Sequence, residues 1–105
     1  MISHIAFYRL KPEIDPQGLE DMVRTTRSLL LKIPEILSVH SGRNVSPESD
    51  WHFYYSIEVE SLGKLAMTTD DPLFLKFMEA VIRPHTEDEF VFDFETDPSK
   101  DLRYS

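Results

Sequence analysis

The chain has 105 residues, with nineteen acidic and eleven basic side chains for a formal net charge of -8, and no cysteine. Its length suits one domain, and its 41% hydrophobic content is ordinary for a globular protein. The acidic balance argues against nucleic acid, whose phosphates require clustered Lys and Arg, and against anionic membrane surfaces. The lack of cysteine excludes disulfides, thiolate nucleophiles and Cys-type zinc sites together.

Met1 leads directly into a strand pattern with no basic leader, and no apolar run is long enough to span a bilayer. A cytoplasmic protein is the simplest expectation. A domain this small also leaves apolar surface that a second copy can cover.

Ile2 to Leu10 is rich in strand formers and apolar on both parities, Ile2, His4, Ala6, Tyr8 and Leu10 against Ser3, Ile5, Phe7 and Arg9. Such a strand is covered on both sides. Asp15-Pro16 then supplies an N-cap and a proline at the first helical position. Leu19, Met22, Val23, Thr26, Leu29, Leu30 and Ile33 recur at helical spacing up to Pro34, while Leu31 falls off the stripe.

Ile36 to Asn44 reads as a second strand, and the turn-rich VSPESD leads to a third, Trp51 to Glu60, making a hairpin with a long loop. On the third strand Trp51, Phe53, Tyr55, Ile57 and Val59 form the parity expected to meet helices. Ser61 to Thr69 predicts a short helix, and Asp71-Pro72 opens another that is apolar nearly all round before Arg83-Pro84. Glu89 to Glu95 is the last strand, with Phe90, Phe92 and Phe94 on one parity, and residues 96–105 form a polar tail after a single domain spanning 1–95.

This order is the split βαβ arrangement: an α+β, ferredoxin-like βαββαβ fold with a four-stranded antiparallel sheet and helices on one face, the second crossover holding two helices. The other face is left bare. Ile5, Phe7 and the last strand's phenylalanines are costly to solvate, so that face is expected to pack on a second copy of itself.

Residues MISHIAFYRLKP with Asp15-Pro16, then KIPEILSVHSGRNVSPE, DPLFLKF and FVFDFE, resemble the stress-responsive dimeric A/B barrel (Dabb) domain family from Ile2 to about Glu95. The resemblance implies a homodimer whose sheets pack face to face into an α/β barrel. Members include stress-induced proteins and plant polyketide cyclases of the olivetolic acid cyclase type, which use a buried histidine and tyrosines between sheet and helices. Carried over by position, the cyclase histidine after the helix-opening proline falls on Phe74. Its preceding tyrosine falls on Thr68, the first-helix tyrosine on Thr26 and the third-strand histidine on Phe53. His4 alone is kept. Phenylalanine cannot serve as a base, so that cyclase mechanism is not expected.

His4, beside Tyr8 and Tyr55, is the candidate acid–base group, weighed against a core histidine bonded to backbone or tyrosine. His4, Tyr8, Phe53, Tyr55, Phe74 and Phe77 are the candidate ligand-binding set, suited to a small apolar or aromatic molecule. His4, His40, His52 and His85 are too scattered for a metal signature, and no cofactor is expected. His85 could hold haem by analogy with haem-degrading barrel relatives, but its place after Pro84 favours a helix-terminus role.

Glu87-Asp88-Glu89 reads as a solvated turn, and Asp93 either faces the inter-sheet space or pairs with Arg9. Three functions compete: a non-catalytic homodimer binding a small apolar molecule, a cofactor-free cyclase- or lyase-like enzyme using His4, and a protective structural oligomer built through Leu31, Phe7 and the C-terminal arm.

Overall fold

The structure, a computed structural model, describes residues 1–97. Strand β1, Ile2–Leu10, buries alternate residues from Ile2 to Leu10 and leaves Ser3, Ile5, Phe7 and Arg9 half-buried on the other side. Helix α1, Pro16–Leu30, starts where the Asp15 carboxylate accepts the Gly18 N–H at 2.7 Å. Its buried side chains Met22, Val23, Thr26 and Leu30 follow the expected stripe. Tight turns then carry the chain to buried Ile33, leaving Leu31 63% exposed.

Strands β2, Ser38–Arg43, and β3, Phe53–Val59, form the long-loop hairpin, held beyond the ladder by Asn44, whose N–H donates to His52 O and whose side-chain amide donates to Trp51 O. Helix α2, Leu62–Asp70, is capped by Ser61, and α3, Pro72–Phe77, by Asp71, whose carboxylate accepts the Leu73 N–H at 2.8 Å. A π turn, Met78–Ile82, and one further helical turn, α4 (Arg83–His85), complete the second crossover. Strand β4, Thr86–Glu95, closes the sheet in the order β2-β3-β1-β4, every neighbouring pair antiparallel. This is the ferredoxin-like α+β arrangement, with α1 and α2 against the β2–β3 side of the sheet.

Three expectations need correction. The last helical segment runs through Pro84 rather than stopping before it, because the π turn resets the hydrogen bonding: Arg83 N–H bonds to Met78 O, five residues back. Strand β4 begins at Thr86, so Glu87, Asp88 and Glu89 are solvated as expected but lie in a strand rather than a turn, Asp88 and Glu89 paired with Arg9 and Tyr8 and Glu87 at the register shift. The free edge of β1 supplies partners along its whole length, and that backbone pairing overrides the turn-like local composition.

Trp51 does not continue the buried parity of Phe53. His52 turns its imidazole to accept the Leu10 N–H at 3.1 Å, alternation is lost there, and the Trp51 ring lies 4.7 Å from Phe90 with the Arg9 guanidinium 5.3 Å from its centroid. Of the expected tail, Thr96 is tied to the Met1 carbonyl through its N–H at 2.8 Å, and residues 98–105 lie outside the described residues.

Candidate functional site

The register that pairs His4 with Ile57 on one side and with Asp93 on the other brings the candidate histidine against a carboxylate. His4 Nδ1 lies 2.6 Å from Asp93 Oδ1 and its Nε2 3.3 Å from the Tyr55 hydroxyl. An ionised carboxylate only accepts, so Nδ1–H donates to Asp93 and the Tyr55 O–H donates to Nε2. Both nitrogens of this buried imidazole are therefore engaged.

Tyr55 stacks on Tyr8, their rings 6.1 Å apart at 14°, and Glu89 sits opposite Tyr8 in the ladder. Burial pushes both phenols above their ordinary value of 10.0; the charges of Tyr55 and Glu89 add to this at Tyr8, and those of Glu89 and Asp93 at Tyr55. Both hydroxyls therefore act as neutral donors.

A testable pH dependence follows. Unfolded phenols ionise near pH 10 while these two keep their protons in the fold, so their contribution is intact below pH 10 and is lost as pH rises toward the folded values. Stability should fall by about 1.4 kcal/mol per pH unit for each tyrosine. Urea unfolding between pH 9 and 11 measures this slope. Tyr8→Phe should roughly halve the part due to the pair; an unchanged slope would contradict the assignment.

The six candidate ligand-binding residues come together. Tyr8 and Phe53 rings lie 6.1 Å apart, Phe77 meets Tyr55 edge-on at 5.2 Å, and Phe74 meets Phe77 at 5.9 Å. They fill the space between sheet and helices, with relative exposures of 8% or less from His4 to Phe77. The apolar wall expected around a ligand is thus a packed core layer. A cleft of about 430 Å³ opens instead between α1 and the α3–π segment.

Thr26 and Thr68, where cyclases carry tyrosines, are buried with their hydroxyls donating to Met22 O and Lys64 O of their own helices. They offer a ligand no free donor proton.

The pairing of Asp93 with Arg9 is corrected. Arg9 bonds Asp88 at 2.8 Å, its partner in the β1–β4 register, while Asp93 lies on the helix side of the sheet with His4. The sequence hinted at this through one polar residue, Asp93, opposite the Phe90–Phe92–Phe94 parity, and one, His4, in the apolar parity of β1. Only the register shows that the two meet. Glu89 was missed for the same reason. His85 donates from Nδ1 to Val81 O at 2.7 Å, fastening the last helical turn. Among the described residues no group of three or more His, Cys, Asp or Glu side chains is placed to hold a metal, and no helix is long and apolar enough to cross a membrane.

The opposite sheet face carries a second candidate site. Phe92 lies 6.3 Å from Phe7, 6.1 Å from Phe90 and 6.2 Å from Phe94, Phe7 stacks on Tyr54, and Trp51 extends the ridge past Phe90. Phe90, Phe92 and Phe94 are each about half exposed, at 53%, 45% and 51%. A contiguous aromatic ridge of this kind is the signature of an interaction surface.

Comparison with known proteins agrees with this architecture. A ferredoxin-like Dabb family protein from Mesorhizobium loti superimposes with a TM-score of 0.78 at 21% identity, over 90% of this chain and 95% of that one. A protein from Thermobifida fusca, described as dimeric, ferredoxin-like and of unknown function, gives 0.80 at 21%, covering 90% of each chain. The hydroxynitrile lyase of Passiflora edulis gives 0.79 at 18%, over 92% of this chain and 94% of that one. At these identities the likeness is one of fold. No curated protein sequence matches the chain. The family model for the stress responsive A/B barrel domain matches residues 2–96, nearly the whole chain, and the protein belongs to that family.

Proposed function

We propose that this protein acts as a homodimeric barrel that binds a small, mainly apolar molecule without turning it over. The observation that carries the assembly is the aromatic ridge from Trp51 and Phe90 to Phe94, which among the described residues stays about half exposed on its sheet face. A dimer of standard size buries about 800 Å² per partner, and a four-stranded sheet face is a surface of that order. The description of the Thermobifida fusca relative as dimeric supports the same reading. The non-catalytic half rests on Thr26, Phe53, Thr68 and Phe74, none of which offers an available acid or base, and on a His4 whose nitrogens are both occupied.

Sedimentation velocity over a dilution series tests the assembly. A species of twice the 12.3 kDa chain mass is expected; a monomer persisting at the highest soluble concentration would sink it.

One observation favours a second reading, acid–base chemistry at His4. A buried imidazole oriented by a carboxylate at 2.6 Å, with a weaker 3.3 Å contact to Tyr55 on its other nitrogen, has the base-and-orienter arrangement of general-base catalysis. The Asp93 side chain is 45% exposed, so the carboxylate end of the pair borders solvent. If Tyr55 gives way, Nε2 takes the proton and Asp93 stabilises the imidazolium. The hydroxynitrile lyase relative makes release of an aldehyde from a cyanohydrin a suitable first assay. Under this reading Asp93→Asn should lower turnover about a hundredfold and His4→Ala should abolish it with the fold retained. Turnover unchanged in His4→Ala would remove the reading.

A further inference from the structure

We propose that the cleft between α1 and the α3–π segment is a binding site for a small amphipathic carboxylic acid, an apolar chain or ring bearing one carboxylate. This deepens the binding half of the function proposed above and gives the ligand a place other than the filled layer beside His4. The cleft encloses about 430 Å³, within the roughly 300–1,000 Å³ range of small-molecule sites. Met22 and Leu29, seven residues apart on one face of α1, form one wall; Ala80 and Val81 form the other. The small side chain of Ala80, in the π turn, leaves the space open, and Gly18 stands at one end without a side chain.

The charges on the lip are uneven. Asp21 is already bonded by Arg24 at 2.7 Å and Gln17 at 3.0 Å, and these two donors hold its carboxyl below the ordinary carboxylate range. Lys76 is exposed on the opposite lip and makes no ion pair among the described residues. His85 spends Nδ1 on Val81 O, which leaves Nε2 as a second polar group at the cleft. One uncompensated cation over an apolar floor complements a single negative headgroup on a hydrocarbon body. Thr25 and Ser28 add only neutral hydroxyls, and a phosphate or a dicarboxylate calls for more positive charge than this lip holds.

Titration of isotope-labelled full-length protein with sodium octanoate, followed by amide shifts, tests the site, with octanol and octyltrimethylammonium as comparators. Octanoate should saturate, with shifts centred on Met22, Leu29, Ala80 and Val81, and the ammonium compound should not bind. Lys76→Glu should weaken octanoate by about tenfold. Ala80→Trp should fill the cleft and abolish binding with the amide spectrum otherwise preserved. Equal affinity for octanoate and octanol, shifts centred on His4 and β4, or no saturation would each overturn the proposal. Sedimentation of the same samples separates the two readings: a dimer that fails to bind octanoate refutes the cleft and leaves the assembly standing, and a monomer that binds does the reverse.

Discussion

Phe92→Glu should convert the proposed dimer to a monomer. Phe92 sits within the aromatic ridge, between Phe90 and Phe94 and across from Phe7, and is 45% exposed in the single chain. In a two-fold assembly every substitution occurs twice, on opposing surfaces. Each copy forfeits about 1.5–3 kcal/mol of apolar burial and places an unpaired carboxylate in a dry interface, a further cost of several kcal/mol. The sum predicts at least a thousandfold weaker association. Sedimentation velocity should show the dimer peak replaced by monomer, with far-UV dichroism unchanged because the side chain is half exposed among Phe7, Phe90 and Phe94 on the sheet face opposite His4. A variant that remains dimeric at the same dilution would show that the second copy docks elsewhere. Ala66→Glu, at an exposed position of α2 in the helix layer, is the matched control and should leave the mass unaltered.

Phe77→Ala should cost about 3–5 kcal/mol, a large fraction of the 5–15 kcal/mol that a domain typically has. Phe77 is fully buried, edge-on to Tyr55 at 5.2 Å and 5.9 Å from Phe74, in the layer that closes the space beside His4. Its removal leaves a cavity against a ring that must stay in place for its hydroxyl to reach His4. Phe77→Leu, which keeps more of the volume, should cost appreciably less. Urea unfolding measures both. A loss below about 1 kcal/mol for Phe77→Ala would mean that this layer is loosely packed and that a ligand pocket opens there.

Much of this protein can be read from local signals. Asp15-Pro16 and Asp71-Pro72 mark two helix starts because cap and proline chemistry acts within a few residues. The period-two pattern from Ile2 to Leu10 assigns the buried face of β1 correctly, His4 included. Phe90, Phe92 and Phe94 share a parity, so their common exposure on one face could be read without knowing the neighbour of β4. Where local and long-range pairing competed, reading from sequence failed. Glu87 to Glu89 looks like a solvated turn, yet the free edge of β1 draws Asp88 and Glu89 into the ladder. Arg83-Pro84 looks like a helix end, yet a π turn carries the chain one turn further.

Composition and periodicity alone determined the fold class, the face of the sheet that meets the helices, and the excess of aromatic surface on the other. These follow from hydrophobic patterning, which every residue reports about its own position. Tertiary structure decided which polar groups meet. His4 and Asp93 lie 89 residues apart in the chain and join only through strand register. Register is set by how two whole strands bury their faces, and a shift of one residue would send Asp93 to the opposite side. The same packing closed the aromatic layer beside His4 and left the cleft between α1 and the π turn open, since volume depends on how side chains from distant elements interlock.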